Sequence, residues 1–117
     1  MSYVDGYMIP IPNKNKQAYF DMAKRCGPIF KEHGMLSMKE CWGDDVPPGK
    51  LTSMPMAVQC KEDETVVFSW MIWPDKATRD TGMKAAMEDP RMKMQGPDMP
   101  FDGKRMIFGG FEVVYEL

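Results

Sequence analysis

Apolar and polar positions change their period several times along this chain, and each change marks an element. Tyr3 to Ile11 is a β-rich run closed by Pro10 and Pro12, which predicts a strand, and Asn13 then offers a side-chain oxygen to cap a helix. From Lys14 to His33 the residues Tyr19, Met22, Ala23, Cys26, Ile29, Phe30 and His33 recur at helical spacing. That spacing predicts a helix with one face on a sheet, stopped by Gly34 in a left-handed conformation. Gly27-Pro28 interrupts the pattern without ending it, because Pro28 cannot donate to the carbonyl of Lys24, so a kink is expected there.

Met35 to Trp42 reads as a second strand, followed by a loop over Gly43 to Gly49 whose prolines and glycines exclude regular structure. Met56 to Cys60 predicts a short additional strand. Thr65 to Trp73 is the strongest strand in the chain, apolar on both parities, and belongs in the middle of a sheet. Pro74-Asp75 opens a second helix with Asp75 as its cap, Ala77, Met83, Ala86 and Met87 supply its packing stripe, and Asp89-Pro90 ends it, with one more turn expected from Pro90. Arg91 to Gly103 is irregular, and Lys104 to Leu117 reads as the last strand.

This order, β-α-β-β-α-β, is the split-βαβ pattern of a ferredoxin-like α+β sandwich, with an antiparallel sheet and both helices on one face. The opposite face is left bare, yet the middle strand is apolar there too. Its economical cover is the same face of a second copy, so a homodimer built as a dimeric α+β barrel is expected.

Composition narrows the function classes. At 117 residues the chain is expected to form one domain, 1–117, and 44% hydrophobic with 27% charged residues is globular composition. A net charge of -2 and a pI near 5.4 provide no basic field for a phosphate backbone or an anionic membrane, so neither nucleic acid nor membrane is an expected partner. The N-terminus has no basic segment leading into an apolar one, and Cys26, Cys41 and Cys60 are odd in number and widely spaced. A soluble protein in a reducing cytoplasm is the expectation, with neither a disulfide framework nor a metal site.

Three segments carry a resemblance: Glu40 to Pro47, Ser69 to Pro74 with Asp75 to Asp80, and Met99 to Glu112. With them the chain resembles, nearly end to end, the YbaA-like family of uncharacterised bacterial proteins. The resemblance implies the dimeric α+β barrel superfamily, whose members include cofactor-independent monooxygenases, lactone isomerases, haem-handling enzymes and ligand-sensing domains. It implies a pocket more than a reaction, and no catalytic residue or cofactor comes with it.

Candidate chemistry rests on polar residues in apolar company. Asp5 shares a strand parity with Tyr3, Tyr7 and Ile9, Glu40 with Leu36, Met38 and Trp42, and Glu112 with Phe108, Gly110 and Val114. A carboxylate so placed is a candidate general acid or base; the alternative is an ion pair at a sheet edge or dimer seam. Arg105, next to Lys104 after the Asp102-Gly103 turn, has the fork to clamp a ligand carboxylate, against a turn closed by ion pairs with Asp102. Trp42, leading into the acidic loop of Asp44 and Asp45, offers a flat face to a planar ligand or to core and interface packing, while Trp70 reads as core or interface packing. One of Gly109 and Gly110 is expected to face something bulky.

His33, the single histidine, is a candidate for catalysis against capping or solvation in the last turn of the helix, where the dipole favours a cation, and one histidine cannot build a His-based metal site by itself. Met92, Met94 and Met99 raise Cu(I) binding, against methionine as flexible core filler. The function that emerges is a homodimer with a pocket between sheet and helices for a small acidic or aromatic metabolite, doing cofactor-independent oxidative or proton-transfer chemistry. The alternative is a non-catalytic ligand-sensing or interaction module; RNA binding is disfavoured.

Overall fold

The computed structural model describes residues 2–93 and 99–117. Its strands are β1 (Tyr3–Pro12), β2 (Ser37–Trp42), β3 (Glu64–Trp73) and β4 (Ile107–Glu112), and its helices α1 (Lys16–Glu32), α2 (Met54–Ala57) and α3 (Lys76–Glu88). The sheet is antiparallel throughout, in the order β2-β3-β1-β4. The apolar run of Thr65 to Trp73 occupies an inner position, as its two apolar faces require. β4 pairs only with Tyr3 to Met8, so Pro10 and Pro12 fall where β1 has a free side and their missing donors are tolerated.

The sequence places α1 correctly and misplaces its start. A 3-10 turn over Asn13–Asn15 intervenes, and the Asn13 side chain accepts from the Thr65 hydroxyl instead of capping the helix. The helix runs through Pro28 to Glu32. It ends at Gly34, φ +111°, where the Met35 N–H returns to the Phe30 carbonyl at 3.1 Å and Met35 is buried with Phe30 in one cluster. Met35 is therefore part of the helix stop, and β2 begins at Ser37.

α3 is capped as expected, Asp75 accepting from the Thr78 N–H at 2.7 Å, and a 3-10 turn over Pro90–Lys93 follows it. Two expectations are corrected. The strand predicted over Met56 to Cys60 is the single helical turn α2, because Ser53 accepts from the Met56 N–H and Pro55 sits in the first turn, where its missing donor costs nothing. The last strand is Ile107–Glu112 alone: Asp102 caps a 3-10 turn at Gly103–Arg105, and beyond Glu112 the pairing continues only as Val113 N–H to Ser2 carbonyl. Met94, one of the methionines considered above for copper, lies outside the described residues.

Both long helices pack on one sheet face. Tyr3, Ile29, Phe30, Met35, Met71, Trp73 and Ala86 form one buried cluster, and Ile9, Ile11, Tyr19 and Val67 form another. On the opposite face Phe68 and Phe111 remain 42% and 61% exposed, and the Phe68 and Trp70 rings lie 5.3 Å apart.

Candidate functional site

The two core clusters do not meet everywhere. Between them, under α1, lies a cavity of about 330 Å³ whose wall includes Phe30 and Met71 of one cluster and Ile9 and Tyr19 of the other. Its lining is otherwise mostly thioether, thiol and ring, with Met22, Ala23, Cys26, Met38, Met87, Met92, Met99, Phe101 and Met106 around it. The polar exceptions are Tyr7, Tyr19, Glu40 and Ser69.

The sheet register explains how these polar groups come together. Glu40 on β2 is the partner of Ser69 on β3, and Ser69 is the partner of Tyr7 on β1, so the three stand in one row across the helix-covered face. Tyr19 descends from α1 and donates its hydroxyl to Glu40 Oε1 at 2.7 Å. Among the described residues no lysine, arginine or histidine pairs with Glu40. Burial raises its pKa above the usual carboxylate value, and the Tyr19 hydrogen bond opposes part of that rise.

The tyrosines are held neutral. Burial, then the charge on Asp5, pushes Tyr7 up to about 12, and Tyr19 is raised further by burial and by the neighbouring Glu40. The Tyr7 ring is stacked on Phe108 at 6.1 Å, and its hydroxyl points to the Met71 thioether at 4.0 Å, a weak acceptor. The Cys26 thiol is likewise raised by burial, which favours its protonated form.

Of the six residues the sequence singles out, the structure brings one, Glu40, to the cavity. Asp5 is buried at 4% exposure and fully engaged: Trp73 Nε1 donates to it at 3.0 Å, and Arg79 closes on it with Nε and Nη2. Glu112 sits exposed on edge strand β4 beside Tyr3, in a depression shared with Lys76 and Gly110. Arg105 grips both oxygens of Glu64 at 2.7 and 2.8 Å, Asp102 at 3.0 Å and the Gln59 carbonyl at 2.8 Å. Lys104 is exposed in the turn. Trp42 packs on Phe20 at 5.9 Å with Lys16 Nζ 4.8 Å over its ring, at the margin of the second core cluster. Gly110 faces the bulk expected of that pair, which is the Tyr3 hydroxyl and the Arg79 guanidinium. His33 closes α1 and meets Asp89 at 3.4 Å.

Tyr7, Tyr19 and Ser69 were not singled out. A tyrosine on a core parity carries a hydroxyl that needs a partner, and that was the available signal. The β2-β3-β1 register sets Glu40 opposite Ser69 and Ser69 opposite Tyr7. Among the described residues no three His, Cys, Asp or Glu side chains converge as metal ligands, and no helix is long and apolar enough to cross a membrane.

Comparison with known proteins gives a family and a fold. Residues 2–103 match the model of a family described as protein of unknown function, DUF1428. The chain is 52% identical over 116 residues, 99% of each chain, to the uncharacterized protein YbaA of Escherichia coli K12, and equally to YbaA of Shigella flexneri. Among solved structures, a dimeric ferredoxin-like protein from an uncultured marine organism superposes with a TM-score of 0.61 at 11% identity, covering 99% of this chain and 98% of that one. The ferredoxin-like α+β fold is common to both.

Proposed function

We propose, from the premise that this chain belongs to the DUF1428 family of proteins of unknown function, that it binds a small, neutral ring compound in the cavity between sheet and helices and transfers a proton through Glu40. The observation that carries this reading is Glu40 itself: a carboxylate without a cationic partner among the described residues, held by the Tyr19 hydroxyl in a cavity walled by thioethers and rings. A purely structural carboxylate in such a place costs desolvation and returns little, whereas a desolvated carboxylate with a raised pKa is suited to general acid-base work.

The lining also selects the ligand. Of the expected acidic or aromatic metabolites, the aromatic kind fits better, since Arg105 and Lys104 stand outside the cavity and Glu40 would repel an anion. A volume of about 330 Å³ suits a molecule of one or two rings, and methionine walls adapt to flat faces. As a non-catalytic sensor the protein would use the same cavity.

The exposed apolar residues Phe68 and Phe111 on the open sheet face favour a homodimer through that face, and the marine ferredoxin-like neighbour is itself described as dimeric. Three free cysteines fit a reducing cytoplasm.

Two measurements test the reading. Native mass spectrometry of freshly purified protein is expected to give a dimer, with any bound metabolite seen as mass lost on denaturation. In thermal melts 2-naphthol is expected to raise the midpoint and 2-naphthoate to leave it unchanged. Failure of 2-naphthol to bind, or equal binding of the two, overturns the cavity assignment.

A further inference from the structure

The cavity offers a second polar contact that Glu40 does not use. Tyr7 shares its row with Ser69 and Glu40, two strands away from the carboxylate, or about 10 Å between backbones at the usual spacing of a sheet. Its ring is fixed by stacking on Phe108, and its hydroxyl leans over β3 toward Met71. A thioether at 4.0 Å is a poor acceptor, so a ligand oxygen entering the cavity would displace it at little cost. Tyr19 differs, because its proton is already given to Glu40 at 2.7 Å. The cavity therefore presents a proton acceptor on one side and, on the other, a neutral hydrogen-bond donor held by a weak acceptor alone among the described residues.

We infer that Tyr7 is an oxyanion-binding residue, and that the compounds this site takes are neutral cyclic ketones with an acidic C–H next to the carbonyl. The inference rests on the reading of the cavity as a ligand site with Glu40 as its base. In the step, Glu40 accepts the proton from the carbon beside the carbonyl. The C–H electron pair becomes the carbon-carbon double bond, and the carbonyl π pair moves onto oxygen, where the Tyr7 hydroxyl donates to the enolate. Return of the proton to the same carbon gives exchange with solvent, and return to a conjugated carbon gives an isomer. No oxidant, reductant or co-substrate enters the balance.

The probe is 2-tetralone, a two-ring ketone. Loss of its C1 protons in D2O is followed by NMR with wild type, Tyr7→Phe and Glu40→Gln, alongside the carbonyl infrared band of the bound ketone on wild type. The expected result is accelerated exchange by wild type, abolished in Glu40→Gln and lowered about 100-fold in kcat by Tyr7→Phe with little change in KM. The bound carbonyl band is expected to move to lower frequency. Exchange by Tyr7→Phe at the wild-type rate, or an unshifted band on wild type, overturns the role of Tyr7, and the band is read without any variant having to fold. Binding of 2-naphthol with neither binding nor exchange of 2-tetralone overturns the ketone class and leaves the cavity reading standing; if 2-naphthol does not bind either, both readings fall.

Discussion

Trp73 donates its indole N–H to Oδ2 of Asp5 at 3.0 Å, joining β3 to β1 beneath α3, and Arg79 closes on the same carboxylate from above. The arrangement satisfies a buried charge from two sides, so its value lies in what its removal exposes. Arg79→Ala leaves Asp5 with the indole alone among Tyr3 and Trp73 and is expected to cost about 3 kcal/mol, with Arg79 itself partly exposed. Pairing Arg79→Met with Asp5→Asn is expected to recover most of that loss. Urea denaturation of the two variants checks both statements; equal loss in the single and double variants would remove the ion pair from the account.

Gly82 lies inside α3, where alanine is ordinarily worth up to about 1 kcal/mol more than glycine. Here a Cβ would run into the His33 carbonyl oxygen and stand 2.6 Å from the Trp73 ring. Backbone and a buried indole do not move aside easily, so the propensity gain is outweighed by overpacking. Gly82→Ala is expected to destabilise by about 1 to 3 kcal/mol, measured by the shift in urea midpoint. A variant as stable as wild type would mean that α1 and α3 separate freely.

These two contacts also show what was legible in the sequence. Period and turn chemistry carried the fold: the runs from Tyr3 and Thr65, the part of the run from Met35 that begins at Ser37, the Asp75 cap and the Gly34 stop all reappear. The errors fell where local chemistry competes with period. Ser53 and Pro55 start a helical turn that the apolar residues after them disguise as a strand. The site was harder, because parity says which face a carboxylate occupies and says nothing of its partners. Asp5 and Glu40 look alike in the sequence, yet Arg79, far along the chain, claims Asp5, while among the described residues Glu40 is met by the hydroxyl of Tyr19. Of the two readings of Arg105, the turn closed by an ion pair with Asp102 is the one present, and Glu64, which the sequence does not place beside it, comes to it only through the folded chain.

The raised pKa of Glu40 has a sign in the stability profile. The folded state binds this proton more tightly than the unfolded chain, whose carboxylate has the ordinary value near 4.5. Its contribution is therefore fully present below 4.5 and is lost as pH rises through the raised folded value. Glu40→Gln lacks this term. The melting temperature of Glu40→Gln relative to wild type is expected to climb from pH 4 upward and level off once Glu40 is ionised in the fold. A difference that does not vary over pH 4 to 8 would show that Glu40 is solvated.

Tyr19→Phe isolates the hydrogen bond within that effect. The hydroxyl stabilises the ionised carboxylate, opposing burial, so its removal is expected to move the Glu40 titration to higher pH. The side-chain carboxyl resonance of Glu40, followed by NMR through a pH titration, reads this directly. An unmoved midpoint would place the hydroxyl elsewhere in solution.

The open sheet face sets the last test. Phe68 lies on inner strand β3 and Phe111 on edge strand β4, and both leave more than a third of their surface to solvent on the face opposite α1 and α3. A second copy of the same face would bury both rings and the Phe68–Trp70 pair without disturbing the cavity on the other side. Phe68→Lys is therefore expected to yield a monomer in sedimentation velocity while retaining the far-UV spectrum of the fold, because the substituted side chain faces away from both core clusters. A Phe68→Lys protein that remains dimeric would exclude this face as the interface. The exposed Val114, Tyr115 and Leu117 beyond β4 would then be the next apolar surface to change.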